Sequence, residues 1–222
     1  MKRLFITLAL FLLVLPQALQ AQWKVGVNGG ALFNQFSMDK QYMTDYRYYG
    51  AWGVTSNVVT QYNFNSWLGL RTGLGLAQRN YRQTRAERAD RLDVLYRNNY
   101  LLLPVMASFS FGGKVVRGFT NLGVYGGYLM VTSRSGLDYN PVSQSTYAFS
   151  EKVVFNPEKD QRWDFGFTGG VGIACQVARH WSVEAEVLGY YSVVSTVKQY
   201  MRVKDYRYNT SLGLQVGVYY LF

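Results

Sequence analysis

The last fifteen residues, 208–222, alternate between large apolar side chains and small or polar ones. Every second residue from Leu212 to Phe222 is apolar or aromatic, and Ser, Gly and Gln occupy the positions between them as far as Gly217. Successive side chains of a β-strand point to opposite faces, so this period of two predicts a strand with one apolar and one polar face. Such a strand is typical of one that has lipid on one side and a crowded or wet lumen on the other.

Seven more segments of this kind precede it, with polar stretches between them. The predicted strands are 23–33, 49–62, 67–78, 94–111, 117–131, 162–177, 181–197 and 208–222. The connections between them alternate long and short, which is the asymmetry of an up-and-down outer-membrane barrel with brief periplasmic turns and longer external loops. The longest connection has room for a short extra strand at 147–155.

The sequence therefore predicts an all-β fold: one eight-stranded antiparallel up-and-down transmembrane β-barrel over residues 22–222. An even number of strands puts both ends in the periplasm, and a terminal Phe222 resembles the C-terminal insertion signal of bacterial outer-membrane barrels. Trp23, Trp67 and Trp181 each open a segment at the short-turn end, where a membrane interface favours Trp. The alternative is a soluble barrel or sandwich, in which the apolar face would point inward and glycines would be scarce on that face. Here they dominate the opposite face.

Residues 1–21 have the pattern of a secretory signal peptide. Lys2 and Arg3 precede an apolar run of about a dozen residues, and small residues at Ala18 and Ala21 follow. We expect cleavage after Ala21 and export to the outer membrane. An uncleaved membrane anchor is the alternative, although the run is short for a spanning helix.

Composition and charge limit the classes of fold and partner that fit this sequence. The chain has 222 residues, with 17% aromatic residues, 22 glycines and four prolines, which favours an all-β protein. Cys175 is the single cysteine, so no intrachain disulfide forms. The net charge of +10 suits an anionic membrane surface, and without a soluble basic platform we expect no nucleic-acid partner. The sequence contains no cofactor or metal motif, so none is predicted.

Arginines recur at every third residue in the charged stretch after the third predicted strand. They are Arg79, Arg82, Arg85, Arg88 and Arg91. We expect a short external helix over 83–92 and contact between these guanidinium groups and lipopolysaccharide phosphates, which Arg recognises well. The alternative is a solvated loop whose acidic residues pair with the arginines.

Four charged residues fall on the inward phase of the predicted strands, namely Lys24, Arg71, Glu184 and Glu186. Charges inside a lumen must pair or stay hydrated, so we expect a lumenal ion-pair network. Acid–base chemistry or a cation site at the two glutamates is the alternative. Pro104 lies within a predicted strand and should mark a bulge or an unpaired position, because proline has no N–H to donate.

One stretch, 99–105, resembles the Tyr-x-x-x-Pro strand of the PorT-like outer-membrane β-barrel family of the Bacteroidota. The Gly112–Gly113 turn with the glycine-rich strand at 121–128, and the segment 166–172 followed by Trp181 and Glu184, are similar to later strands of that family. Some members are linked to protein secretion and gliding, and most have no assigned role. The resemblance implies no catalytic residue.

The function that we expect is a structural or binding role for a monomeric barrel. Its external loops would contact lipopolysaccharide or an envelope protein, as part of an envelope or secretion assembly. A narrow pore or a small-ligand-binding barrel is the alternative. An outer-leaflet enzyme is less favoured, because the single histidine, His180, falls in a predicted periplasmic turn.

Overall fold

The computed structural model describes residues 22–38, 46–85, 92–140, 142–143, 145–198 and 207–222. The predicted signal peptide, Arg88 and Arg91 lie outside these residues. The strands of the described part are β1 (Gln22–Met38), β2 (Tyr46–Asn63), β3 (Leu68–Gln78), β4 (Tyr81–Arg85), β5 (Asp93–Gly112), β6 (Val116–Asn140), β7 (Ser145–Lys152), β8 (Trp163–Ala178), β9 (Trp181–Ser192) and β10 (Arg207–Leu221). No helix among the described residues is long and apolar enough to cross a membrane.

Eight of these strands form a closed antiparallel ring. The ring order is β1, β2, β3, β5, β6, β8, β9 and β10, and β10 pairs back onto β1. The closing register runs from Lys24 opposite Leu221 to Met38 opposite Arg207. The predicted eight-stranded barrel is therefore confirmed, and each predicted segment corresponds to one strand of the ring.

Two further strands, β4 and β7, extend the sheet beyond the ring on the long-loop side. β4 continues β3 after a break at Arg79 and Asn80, and it pairs with both β2 and β5. β7 pairs with the far end of β6 and corresponds to the extra strand predicted at 147–155. The helix predicted over 83–92 is wrong at its start, because residues 83–85 belong to β4 and complete the backbone hydrogen bonds of β2 and β5.

The apolar phase of the strands points away from the axis. Leu70, Leu214 and Val216 are 43%, 58% and 52% exposed, whereas Gln215, between the last two, is 5% exposed. Most strand glycines lie on the inner face and leave room there: a Cβ at Gly170 would lie 2.5 Å from Glu186 Oε1. The exposed apolar surface is the lipid-facing surface of the barrel.

Aromatic residues form a belt at each edge of this apolar surface. The belt at the short-turn end contains Trp23, Tyr62, Trp67, Trp181, Tyr220 and Phe222. The other belt contains Phe33, Trp52, Tyr128, Trp163 and Tyr191. On β1, β2 and β9 the two belts are ten residues apart, which at the usual rise and tilt of barrel strands is about 25 Å, the height of an outer-membrane apolar band.

Short turns at 64–67, 113–115 and 179–180 mark the periplasmic end of the barrel. Both ends of the described chain lie there as well. The Phe222 N–H donates to the Trp23 carbonyl at 3.0 Å, and the Leu221 N–H donates to the His180 carbonyl at 2.8 Å. These hydrogen bonds therefore hold the C-terminal residues next to the aromatic belt at the short-turn end.

Pro104 lies at an interruption of the ladder between β3 and β5. The pairing steps from Thr72 opposite Val105 to Gly75 opposite Leu102, so Pro104 has no ladder partner on β3. Instead, Thr72 Oγ1 donates to the Pro104 carbonyl at 2.8 Å. The expected unpaired position is confirmed.

If the apolar phase faces lipid, the loss of stability caused by a new charged side chain should depend on where that side chain lies. Val216 lies near the middle of the band, whereas Val142 is 92% exposed in the turn between β6 and β7. We expect Val216→Arg to lower the free energy of unfolding in liposomes by about 2–4 kcal/mol. The matched Val142→Arg variant should change it by no more than about 0.5 kcal/mol. Urea titration followed by tryptophan fluorescence measures both, and equal effects would contradict the assignment.

Candidate functional site

Four charged side chains meet in the lumen towards the periplasmic end. Arg71 of β3 lies between Glu184 and Glu186 of β9, with Nη1 2.9 Å from Glu184 Oε2 and Nη2 3.4 Å from Glu186 Oε2. Lys24 of β1 pairs with the other oxygen of Glu184. The structure thus brings together the four residues that the sequence placed on the inward phase, and we call them the lower network.

Neutral side chains complete the lower network. Arg71 Nη2 donates to the Tyr219 hydroxyl at 2.6 Å, and Asn121 and Gln215 donate to Glu186 at 2.6 and 2.9 Å. Every carboxylate oxygen of the two glutamates therefore accepts at least one hydrogen bond. This saturation favours a structural ion network over general acid–base chemistry, which needs a carboxylate that a substrate can reach.

A second buried ion pair lies nearer the external end and was not predicted. Arg79 is fully buried and pairs with Asp164 of β8. Its Nη1 also donates to the Tyr125 hydroxyl at 3.2 Å, and Ser192 donates to Asp164. The rings of Tyr100, Tyr125 and Tyr190 surround the guanidinium group, with centroids 4.8–5.4 Å from Cζ. We call this set the upper network.

The prediction that Arg79 contacts lipopolysaccharide is therefore wrong. Arg79 keeps the inward phase of Arg71, Gly73, Gly75 and Ala77, and it points into the lumen. The inward phase of the sixth predicted strand also contains Asp164, two residues before Gly166. That alternation is the signal that could have identified the partner of Arg79.

Arg82 and Arg85, the other arginines of the run that the structure describes, lie on opposite faces of β4. Arg82 points outward and lies 3.4 Å from Asp93, with both side chains about half exposed. Arg85 lies on the other face of β4 and donates to the Tyr46 hydroxyl at 3.1 Å. Arg88 and Arg91 are outside the described residues.

A different set of arginines lies together on the outer face. Arg47 of β2, Arg82 of β4 and Arg97 of β5 are exposed on three neighbouring strands. Arg82 pairs in register with Tyr49, three residues beyond Trp52 of the external belt. At the usual rise and tilt, the three residues lie roughly 8–13 Å beyond that belt. We call them the outer arginine cluster.

An apolar layer separates the two ends of the lumen. Leu32 and Leu102 are fully buried and pack with Leu188 and Met106. A cavity of about 830 Å³ opens on the periplasmic side and one of about 310 Å³ on the external side, and they share no lining residue. Each of these two cavities is therefore open at its own end of the barrel and closed towards the apolar layer.

Stacked aromatic rings line the external cavity. Tyr81 is sandwiched between Phe36 and Tyr96, with ring centroids 4.2 and 4.7 Å away. Burial raises the pKa of the Tyr81 hydroxyl above its ordinary value, so the phenol stays neutral at any physiological pH. These rings therefore pack together as one wall of the external cavity.

His180 and Cys175 lie apart from both networks. His180 is exposed in the turn between β8 and β9, where Nδ1 is 3.0 Å from the Leu221 carbonyl oxygen. Cys175 is exposed on the outer face of β8. No group of three or more His, Cys, Asp or Glu side chains suited to a metal ion occurs among the described residues.

Comparison with known proteins agrees with this architecture. Residues 17–193 match the model of the outer membrane protein β-barrel domain. The chain belongs to this family. The match covers most of the chain and places the protein in the outer membrane. No curated protein sequence matches the chain significantly.

Several solved outer-membrane barrels are similar in structure. A major outer membrane protein from Thermus thermophilus has 13% identity and a TM-score of 0.50, and the alignment covers 92% of this chain and all of that one. Neisserial surface protein A has 14% identity and a TM-score of 0.48, covering 89% and 97%. The attachment invasion locus protein of Yersinia pestis has 14% identity and a TM-score of 0.44, covering 90% and 99%. At these identities the similarity concerns the fold alone.

The burial of Arg79 predicts a large difference between two neighbouring arginines. Arg79→Gln should lower the free energy of unfolding by about 3–5 kcal/mol, because Asp164 stays buried without its cation. Arg82→Gln should change it by less than about 1 kcal/mol, because an exposed pair contributes little. Urea titration in liposomes measures both variants. Similar losses for the two would contradict the placement of Arg79 in the lumen.

Proposed function

We propose that this protein is a non-conducting outer-membrane barrel that acts by binding, without an enzymatic reaction. The observation that carries the proposal is the filled lumen. Two buried ion networks and the apolar layer between them occupy the cross-section that an ion would have to cross. An eight-stranded barrel has an interior that side chains can fill, and this one fills it with residues that hold each other in place.

The alternative of a narrow pore is disfavoured by the same observation. An ion would have to pass fully buried Leu32 and Leu102. It would also have to displace Arg71 or Arg79 from their carboxylates, and breaking such buried pairs costs several kcal/mol.

We expect the purified barrel to be silent in a planar lipid bilayer. A general porin reconstituted in the same way provides the positive control for insertion and detection. Steady, voltage-independent openings of the wild-type protein would contradict the proposal and favour the pore.

Binding is assigned to the external extension. The outer arginine cluster lies roughly 8–13 Å beyond the external aromatic belt. We place the lipid A phosphates of the outer leaflet at this height. Guanidinium groups bind phosphate in pairs of hydrogen bonds, and the Arg82–Asp93 pair is exposed enough to exchange partners. We therefore propose lipopolysaccharide contact at Arg47, Arg82 and Arg97, and not along the run of arginines from Arg79 to Arg91 that the sequence suggested.

The lipopolysaccharide that stays bound during purification tests this contact. The variant Arg47→Gln, Arg82→Gln, Arg97→Gln should retain several-fold less than the wild type, because three phosphate partners are lost. The matched control Lys114→Gln, Arg117→Gln, Arg179→Gln removes the same charge at the periplasmic end and should retain the wild-type amount. Equal retention by all three proteins would rule out the contact.

We also propose the finer family assignment. The stretch 99–105 forms the middle of β5 with Pro104 at the ladder interruption, which supports the likeness to PorT-like barrels. Membership would favour a place in an envelope or secretion assembly, with export directed by residues 1–21. The role would be supported if the full-length chain captured an envelope protein and a variant without β7 and its turns did not.

A further inference from the structure

The cavity on the periplasmic side has no part in the proposed external role. It measures about 830 Å³, which is within the range of small-molecule sites. Its lining includes Lys24 and Glu184 of the lower network, and small or polar side chains such as Ser108, Ser110 and Ala174. The cavity is therefore open to the periplasm at its mouth and closed at its floor, and it is not part of the packed core.

Cations dominate the lining of this cavity. Lys114 and Arg179 come from two separate turns, and Arg117 from the start of β6. Among the described residues, the one acidic side chain in the lining is that of Glu184, whose charge Lys24 and Arg71 already neutralise. A cleft lined by one sign of charge concentrates ligands of the opposite sign.

Buried polar atoms without a protein partner point to the same place. Gln61 and Ser182 are 4% and 5% exposed, and both line the cavity. Gln61 Oε1 and Ser182 Oγ have no hydrogen-bond partner among the described protein atoms, and neither has Arg117 Nε. Buried polar groups are normally satisfied, so these three side chains of the cavity wall have hydrogen-bonding capacity that a ligand can use when they turn towards it.

We propose that the periplasmic cavity binds a carboxylate-bearing ligand of small size, such as the acidic end of a peptide. The carboxylate lies against Arg117, which has an unpaired Nε–H, with Lys114 and Arg179 at the mouth. The Ser182 hydroxyl donates to the ligand deeper in the cavity, and Gln61 Oε1 accepts from a ligand N–H. Trp67 and Phe222 at the rim provide apolar contact. The site is independent of the outer arginine cluster.

Calorimetric titration of the full chain in nanodiscs free of lipopolysaccharide tests the proposal. The probes are acetyl-Glu-Glu with a free carboxylate, acetyl-Gln-Gln-amide and citrate. We expect the acidic peptide to bind at least tenfold more tightly than the neutral one, and the difference to shrink at high salt because the mouth is solvated. Citrate binding as tightly as the peptide would support a free small acid as the ligand, and binding of the peptide alone would support a peptide end.

Three variants locate the binding. The periplasmic triple Lys114→Gln, Arg117→Gln, Arg179→Gln should weaken acidic-peptide binding at least tenfold, whereas Arg47→Gln, Arg82→Gln, Arg97→Gln should leave it unchanged. Ser182→Ala should weaken it a few-fold while circular dichroism shows an intact barrel. Equal affinity for the acidic and neutral peptides, or equal losses in the two triple variants, would overturn the proposal.

Discussion

The pairing of β10 with β1 is the interaction on which the rest of the structure depends. In lipid an unpaired N–H or C=O costs several kcal/mol, so a sheet can span the membrane only if its first and last strands meet. Here they pair along their length, from Lys24 opposite Leu221 to Met38 opposite Arg207. Closure fixes the register, and the register decides which phase of every strand faces lipid. The positions of the aromatic belts, the lumenal networks and both cavities follow from that register.

The closed ring creates a lumen that must be filled, and this chain fills it with charge. Small residues such as Gly170 leave space for Glu186, while Arg71 and Arg79 reach across to carboxylates on the far strands. Burying these charges is costly, but removing one partner costs more than keeping both, so each network resists opening. The ion networks therefore seal the barrel in the middle, and they leave function to its two ends.

The sequence was sufficient for the barrel because a period of two survives in every strand. It also located the lower network, since Lys24, Arg71, Glu184 and Glu186 all fall inside strands with clear phase. It failed at Arg79, where charged residues ended the apparent strand although the inward phase continued for one more position. The outer arginine cluster was hidden for a different reason. Arg47, Arg82 and Arg97 are far apart in sequence and become neighbours only through the pairing of β2, β4 and β5.

Accessibility along β10 tests the central claim that the apolar phase faces lipid and the polar phase faces the lumen. Single spin labels would be placed at residues 211 to 218 in a Cys175→Ser background, and relaxation by oxygen, which partitions into lipid, would be measured in liposomes. The account predicts strong relaxation at residues 212, 214, 216 and 218 and weak relaxation at the four between them. A uniform profile, or strong relaxation at Ser211 and Gln215 in place of Leu212 and Val216, would contradict it.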